Sequence, residues 1–354
     1  MIIIGDAPTE LKKLKSESVN CCVTSPPYFG LRDYGVDGQL GLEETPAEYI
    51  NNLLDVFREV SRVLRDDGTL WLNLGDSYAG NHGHKQSSGE KSKSNKGSLK
   101  NDVRIPGPGL KPKDLIGIPW KVAFALQEDG WYLRQDIIWN KPNPMPESVR
   151  DRCTKAHEYL FLLSKKPRYY YNYEAIKEPA GEKGNANSFR GGCYVNGNID
   201  NSTMGKRKVS GNQKVPSGWD TGKGSRGSFH KNGRANSFAR KTATEGKPGS
   251  PKQHREDRED IEYSGMRNKR SVWTVSTKPY KEAHFATFPP DLIEPCILAG
   301  CPPDGVVLDC FGGSGTVGEV AKKNGRDFIL IELNPKYEPL IDGRLSRVHY
   351  QHSF

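Results

Sequence analysis

The chain has 354 residues, a net charge of +9 and a hydrophobic fraction of only 34%. This length can bury one large core or two smaller ones, and the low hydrophobic fraction predicts long polar loops. Seven Cys without a C-x-x-C pair argue against a disulfide framework or a zinc site and favour a reducing cytosol. The apolar residues 1–4 are too short for a signal peptide, and no run approaches the roughly 18 apolar residues of a membrane span. We therefore expect a cytoplasmic protein.

The first 74 residues alternate between apolar runs and one amphipathic helix. Residues 1–4, 18–23 and 69–74 are predicted strands. Thr45-Pro46-Ala47-Glu48 begins a helix with an N-cap hydroxyl, Pro at N1 and Glu at N3. Its apolar stripe runs to Leu64, and Gly68 is expected to end it. This order of elements predicts an α/β sheet.

The middle of the chain is less regular. Residues 80–112 are polar, basic and without periodicity, which predicts a long mobile loop. A helix is predicted over 114–128, followed by paired strands at 131–139 and 157–163.

Residues 180–270 carry 19 Lys and Arg against nine Asp and Glu, which accounts for the whole positive excess of the chain. One interpretation is a disordered linker, since Gly, Asn and Ser dominate. The other is a DNA-contacting region that orders on binding, with basic side chains on phosphates and scattered aromatic rings that stack or wedge.

The last part of the chain contains a strand, a glycine turn, a helix and a second strand. The first strand covers 306–311, the helix 316–323 and the second strand 327–333, while further helices begin at Pro289-Pro290 and near Pro335. Glu332 lies 23 residues after Asp309 and can accept hydrogen bonds from ribose hydroxyls. The pattern predicts a site for a cofactor with an adenosine group, either a dinucleotide or S-adenosylmethionine.

The order of these segments along the chain helps to decide between a dinucleotide and S-adenosylmethionine. Only 22 residues follow Glu332, so the other strands of the sheet must come from residues 1–74. The fold is therefore predicted to be circularly permuted. A nicotinamide-dependent oxidoreductase is disfavoured, because its glycine turn stands near the start of the nucleotide-binding unit and no hydride-transfer constellation is present.

A second motif, Thr24-Ser25-Pro26-Pro27-Tyr28, follows a predicted strand. Its two prolines fix φ and lack N–H groups, so the loop is stiff and its carbonyls are free to accept hydrogen bonds. The Ser25 hydroxyl and the Pro26 carbonyl can accept from the protons of an exocyclic amine, which favours its nucleophilic form. Tyr28 offers a flat face on which an extruded base can stack.

These motifs together resemble the amino-group DNA methyltransferases of the permuted class called beta. The turn Phe311–Thr316 is similar to the family's cofactor motif, and residues 24–28 are similar to its catalytic motif. Gly5-Asp6 resembles the segment near the cofactor adenine, and residues 284–289 resemble the segment that closes over its methionine end. Residues 136–142 and 157–159 resemble the strands beside the target base.

The resemblance implies a Rossmann-like, circularly permuted mixed sheet with helices on both faces, an S-adenosylmethionine cofactor and a double-stranded DNA substrate. It implies a catalytic half at 1–175, a basic target-recognition region at 176–270 and a cofactor-binding half at 271–354. A cognate restriction endonuclease is an expected partner, and the source is a bacterium, an archaeon or a phage. The implied catalytic residues are Ser25, Pro26, Pro27 and Tyr28. The implied cofactor residues are Asp6, Phe288, Asp309, Phe311, Gly312, Gly313, Ser314, Gly315, Thr316 and Glu332.

The residue at position 25 bears on the target base. In this family Ser goes mostly with N4 of cytosine and Asp with N6 of adenine, so Ser25 favours N4-cytosine and leaves N6-adenine as the alternative. A relative that binds DNA without activity is a third possibility, disfavoured by the intact motifs. Methylation at cytosine C5 needs a thiolate. The Pro295-Cys296 pair falls on a predicted helix, so Cys296 is expected to be core packing.

Overall fold

The structure is a computed structural model that describes residues 1–79, 110–179, 266–277 and 288–348. The chain divides into two compact units, one formed by Met1–Glu178 with Arg267–Phe354 and the other by Pro179–Met266. The predicted mobile loop, up to residue 109, and nearly all of the basic region lie outside the described residues. No helix within the described ranges is long and apolar enough to cross a membrane.

The N-terminal part of the first unit supplies three strands and two helices. They are β1 (Ile2–Ile4), α1 (Ala7–Lys13), β2 (Val19–Thr24), α2 (Pro46–Val63) and β3 (Leu64–Leu74). Helix α2 begins as predicted, with a capping box in which Thr45 and Glu48 each accept from the other's backbone N–H. Its buried face includes Leu53, Val56, Phe57 and Val60.

The predicted end of α2 at Gly68 was wrong. The helix ends at Val63, and Leu64 already belongs to β3, where it pairs with Val19 of β2. Pairing within the sheet therefore takes over the residues that helical periodicity alone assigned to the helix. Gly68 lies inside β3, where a Cβ would approach the Asn20 carbonyl oxygen at 3.2 Å.

The middle of the chain contributes one helix, one 3-10 turn and five strands within the described residues. They are α3 (Ile118–Glu128), β4 (Tyr132–Asn140), β5 (His157–Ser164), a 3-10 turn (Glu174–Ile176), β6 (Glu178–Pro179), β7 (Met266–Arg267) and β8 (Val272–Thr274). Strands β4 and β5 pair antiparallel, as predicted. Helix α3 starts four residues later than predicted.

The C-terminal part contains α4 (Pro290–Gly300), β9 (Val306–Asp309), α5 (Thr316–Lys323), β10 (Asp327–Glu332), a 3-10 turn (Pro335–Tyr337) and α6 (Glu338–Leu345). The predicted order of strand, glycine turn, helix and strand is confirmed. The first strand ends at Asp309, two residues earlier than expected, because Cys310 and Phe311 already belong to the turn.

One eight-stranded sheet joins the two ends of the chain in the order β1-β10-β9-β2-β3-β5-β4-β8. The five strands from β1 to β3 are parallel, β5 is antiparallel to both β3 and β4, and β8 is parallel to β4. The late strands β9 and β10 thus lie between the early strands β1 and β2. This arrangement confirms the predicted permuted mixed sheet.

Helices cover both faces of the sheet, as predicted. Buried side chains of α1, α2 and α3 form one hydrophobic cluster, and those of α4, α5 and α6 form the other. The polar ends of β2, β3, β9 and β10 are left at one edge, where loops can hold a ligand. We call this the catalytic edge.

Candidate active site

The S-P-P-Y loop leaves β2 at the catalytic edge. Pro26 is buried, and the Pro27 carbonyl accepts a hydrogen bond of 2.8 Å from the Tyr49 hydroxyl of α2. The loop is therefore tied to α2 through the Pro27 carbonyl, while the Pro26 carbonyl, an oxygen with two lone pairs, can accept from a ligand.

Polar side chains of three neighbouring strands meet beside this loop. The Ser25 hydroxyl donates to Asn73 Oδ1 at 3.4 Å, and the Tyr28 hydroxyl lies 3.1 Å from the same oxygen and 2.7 Å from Glu158 Oε2. Asn73 Nδ2 donates to the Tyr159 carbonyl at 3.1 Å. Because Asn73 faces Leu160 in the β3–β5 register, Glu158 is its diagonal neighbour on the same face.

Glu158 also forms an ion pair with Lys141, whose ammonium lies 4.2 Å from the centre of the Trp139 ring. Both charged side chains are mostly buried, at 17% and 16% exposure. Segments 136–142 and 157–159 were expected near the target base, and the structure brings their Lys141 and Glu158 to Tyr28. Asn73 was missed, because nothing in the sequence around it indicates its proximity to Ser25.

The Tyr28 ring lies directly against Gly75. A Cβ at Gly75 would stand 2.4 Å from Tyr28 Cε2, a distance that no side chain tolerates. Burial, and then the Glu158 carboxylate, raise the pKa of the Tyr28 hydroxyl well above its usual value. Tyr28 therefore stays a neutral donor, and its ring has a fixed position.

The glycine turn after β9 has the open geometry that a close backbone approach requires. Gly313 and Gly315 have φ values of +51° and +77°, and Gly312 donates to the Ile331 carbonyl at 2.7 Å. A Cβ at Gly315 would lie 2.9 Å from Ile341 Cγ2. Glycine is thus needed here both for the backbone conformation and for packing against α6.

Arg344 of α6 holds the two hydroxyls of this turn. Its buried guanidinium donates to Ser314 Oγ at 2.7 Å and Thr316 Oγ1 at 2.8 Å, and it forms an ion pair with Glu319. Arg344 was not among the predicted site residues. A basic residue in the last turn of a predicted helix is usually assigned to the surface.

Glu332 stands at the end of β10, beside the start of this turn. Its carboxylate accepts from the backbone N–H of Gly313 at 2.7 Å and of Asn334 at 2.8 Å. Burial raises its pKa. Each oxygen keeps a further lone pair for a hydroxyl donor. The site thus offers a carboxylate acceptor, backbone N–H donors and a turn with no side chain at three positions. These groups fit the adenosine and amino-acid parts of S-adenosylmethionine.

Asp309 is less accessible than Glu332. The Asp309 residue is 1% exposed. Its Oδ1 accepts hydrogen bonds from Thr24 Oγ1 at 2.6 Å and from the Phe311 N–H at 3.0 Å. Burial raises the pKa of its carboxyl to about 7. The structure therefore shows Asp309 as a bridge between the end of β2 and the glycine turn.

Asp6 and Phe288 are the two remaining cofactor residues that the resemblance implies. Asp6 caps α1, where its Oδ2 accepts from the Thr9 N–H at 3.2 Å and the Thr9 hydroxyl at 2.9 Å. The preceding Gly5 donates to the Glu332 carbonyl at 2.9 Å, so Asp6 lies next to the end of β10. Phe288 is half-buried against the α4–α5 face, and residues 284–287 lie outside the described residues.

Cys296 has no access to this site. It is fully buried in α4, its thiol donates to the Leu292 carbonyl at 3.5 Å, and burial raises its pKa far above the usual value. The expectation of core packing is confirmed, and a Cys296 thiolate nucleophile is excluded.

Comparison with known proteins identifies the family. A sequence profile for the DNA methylases of the N6/N4 type matches residues 19–342. The Type II methyltransferase M.Cfr9I of Citrobacter freundii is 43% identical over 342 residues, which cover 96% of this chain and 86% of that protein. M.SmaI of Serratia marcescens is 42% identical over 347 residues, or 98% and 90% of the two chains.

Two solved structures show the same fold. The cytosine-N4-specific PvuII DNA methyltransferase matches with a TM-score of 0.57 at 17% identity, over 99% of this chain and 87% of that one. TTHA0409 of Thermus thermophilus, in complex with S-adenosylmethionine, matches with a TM-score of 0.52 at 19% identity, over 98% and 93%. With the sequence matches, these findings decide against an oxidoreductase. The chain belongs to the DNA methylase family, the S-adenosylmethionine-dependent methyltransferases that modify the amino groups of DNA bases.

Proposed function

We propose that this methyltransferase acts on N4 of cytosine in duplex DNA, on a base extruded from the helix. The observation that carries the proposal is the hydroxyl of Ser25, a neutral group where a carboxylate would favour N6 of adenine. Ser25 lies half-buried at the end of β2, with its hydroxyl directed to Asn73 Oδ1.

The hydrogen bonds around Ser25 suit an exocyclic amine. Since the Ser25 hydroxyl gives its one proton to Asn73, its oxygen lone pairs remain for the amine protons. The Pro26 carbonyl is the second acceptor. Two acceptors aimed at the N–H bonds favour the pyramidal amine, whose lone pair is directed at the methyl group. Transfer is then direct, and no enzyme nucleophile is needed.

Tyr28 would support the extruded base. Its ring is fixed against Gly75 and its hydroxyl against Glu158, so it presents a face at one position and orientation. A rigid aromatic face offsets part of the stacking that the base loses on leaving the duplex. Holding the base in a single orientation supplies much of the rate of a direct transfer.

S-adenosylmethionine supplies the electrophilic methyl group. We assign the ribose hydroxyls to Glu332 and the amino-acid end to the backbone of the glycine turn and to Phe288. We assign Asp6 and Phe311 to the adenine. Asp309 would act through its hydrogen bonds to Thr24 and Phe311, which connect the catalytic loop to the glycine turn.

The proposal also covers how the protein recognises DNA and what the methylation is for. We assign target recognition to the basic residues 176–270, whose charge suits phosphate contacts. Because the relatives M.Cfr9I and M.SmaI are Type II methyltransferases, we also propose that the modification protects DNA from a cognate restriction endonuclease. DNA methylated by the protein should then resist cleavage by that endonuclease, while unmethylated DNA of the same sequence is cut.

Nucleoside analysis tests the proposed target. The protein is incubated with tritiated S-adenosylmethionine and unmethylated duplex DNA of varied sequence, and the DNA is digested and separated by mass spectrometry. N4-methylcytosine as the labelled nucleoside is the expected result. N6-methyladenine would overturn the proposed base while leaving the family intact, and the absence of any labelled nucleoside would contradict the activity.

A further inference from the structure

The loop between β4 and β5 places an exposed apolar side chain at the catalytic edge. This β4–β5 loop, residues 141–156, contains Met145 between Pro144 and Pro146. Met145 is 78% exposed, more than any other large hydrophobic side chain of the described residues. A single exposed apolar residue is common on protein surfaces and by itself indicates nothing. Met145 differs from such residues because its loop is anchored beside the active site.

The β4–β5 loop is anchored at its first end to the active site. The Lys141 N–H donates to the Ala156 carbonyl at 2.8 Å, and the Lys141 ammonium is paired with Glu158, the partner of Tyr28. Asn143 exchanges two hydrogen bonds with Thr277, at 3.0 and 3.2 Å. Met145 follows Asn143 by two residues.

The second flank of the loop is anchored as well. Arg152 pairs with Glu147, and its guanidinium lies 4.0 Å from the centre of the Tyr78 ring. Lys155 donates to the Asp76 carbonyl at 3.0 Å. Both flanks of the loop are therefore held by side-chain contacts, and the prolines restrict the backbone on both sides of Met145.

Distance and charge both suit contact with a DNA duplex. Met145 follows Lys141 by four residues, so its Cα lies within about 14 Å of the Lys141 Cα. The loop carries four Lys and Arg against two Glu and Asp, a positive balance beside the site where a base must enter. An unbranched, polarizable side chain adapts to the irregular gap that an extruded base leaves.

We propose that Met145 enters the base stack of the DNA and fills the space left by the extruded target base. Apolar side chains that wedge between base steps are a known means of unstacking a duplex. The inference rests on the proposed methylation of an extruded base. It adds a residue that stabilises the extruded state without touching the reacting atoms.

The test compares Met145→Ala, Met145→Leu and the unmodified protein in single-turnover methylation of a duplex oligonucleotide. The oligonucleotide carries the site located by sequencing DNA that the unmodified protein has methylated. A second duplex has an abasic residue opposite the target base, so that extrusion breaks no base pair. Tyr132→Ala is the matched control, since Tyr132 is an exposed apolar side chain (44%) at the opposite end of β4.

Met145→Ala should slow methylation of the paired duplex by about tenfold, which corresponds to about 1.4 kcal/mol of lost support for the extruded base. On the abasic duplex its rate should return to about that of the unmodified protein, and Met145→Leu and Tyr132→Ala should behave like the unmodified protein on both. An unchanged rate on the paired duplex, or an equal loss on both duplexes, would overturn the role of Met145. Inactivity of the unmodified protein would instead contradict the proposed function on which the inference rests.

Discussion

Thr24 Oγ1 donates a hydrogen bond of 2.6 Å to Asp309 Oδ1, across 285 positions of the chain. Thr24 is the last residue of β2 and Asp309 the last residue of β9, and both are almost fully buried. This bond joins the residue before the S-P-P-Y loop to the residue before the glycine turn. The two motifs are therefore held together by a direct contact.

Removal of this contact should destabilise the protein. Thr24→Val keeps the shape of the side chain and leaves a buried carboxylate without one of its donors, so the free energy of unfolding should fall by about 2 kcal/mol. Thr24→Ser retains the hydroxyl and serves as the control. Urea unfolding at pH 8 measures both variants, and a Thr24→Val protein as stable as Thr24→Ser would show that the bond contributes nothing.

The stability should also depend on pH through Asp309. Burial raises the pKa of this carboxyl to about 7 in the folded state, whereas an unfolded Asp has a pKa of about 3.9. Between these values the folded protein holds a proton that the unfolded chain releases, so stability falls as the pH rises through this window. The loss is at most about 4 kcal/mol.

Asp309→Asn has no such titration and is the reference. Between pH 5 and pH 8, the Tm of the unmodified protein should decrease relative to that of Asp309→Asn, as measured by calorimetry in the absence of cofactor. Parallel Tm profiles for the two proteins would show that the carboxyl titrates outside this range.

Gly75 should be required for the position of Tyr28. In Gly75→Ala the new Cβ would meet the Tyr28 ring at 2.4 Å and displace it, although no positive φ opposes Ala here. We expect the methylation rate to fall about tenfold or more, because a misplaced base platform disturbs the reacting geometry. Cofactor affinity should not change.

Gly343→Ala is the control for this substitution, since nothing lies within 4 Å of a Cβ at Gly343. Its methylation rate should match that of the unmodified protein. Full activity of Gly75→Ala would indicate that Tyr28 does not need its observed position.

Arg344 should act on cofactor affinity. Arg344→Lys keeps the charge but loses the planar guanidinium, whose Nη1 donates to Ser314 and Thr316 while its Nε pairs with Glu319. Loss of one such bond corresponds to about a tenfold increase in the Kd for S-adenosylmethionine. Isothermal titration calorimetry measures this Kd, with Lys323→Met as the control, because Lys323 lies on the outer face of α5 in an exposed pair with Glu294. Equal Kd values for Arg344→Lys and the unmodified protein would contradict a role in the turn.

Local signals carried the predictions that succeeded. Short stretches of sequence specify the capping box at Thr45, the apolar stripe of α2 and the glycine turn. These features could therefore be recognised without tertiary information. The permuted sheet followed from the order of the motifs along the chain. Helix α1 was missed because Asp6 was interpreted through its resemblance to a cofactor segment, although an Asp before Ala-Pro-Thr is also an N-cap signal.

The individual side-chain contacts between distant strands could not be predicted, although the resemblance implied that residues 157–159 lie near the target base. Asn73 meets Ser25 and Tyr28 only because β2 lies beside β3, and Glu158 joins them only through the β3–β5 register. The buried position of Arg344 likewise depends on how α6 packs against the glycine turn. These pairings depend on tertiary packing that no local pattern in the sequence specifies.

The most direct test of the catalytic role of the S-P-P-Y loop is Ser25→Ala, with methylation and cofactor binding measured on the same preparation. We expect a strong loss of methylation, about a hundredfold or more for a group that contacts the reacting amine, together with a Kd for S-adenosylmethionine close to that of the unmodified protein. Equal loss of methylation and of cofactor binding would contradict this role, because Ser25 would then support the fold of the site instead of taking part in the transfer.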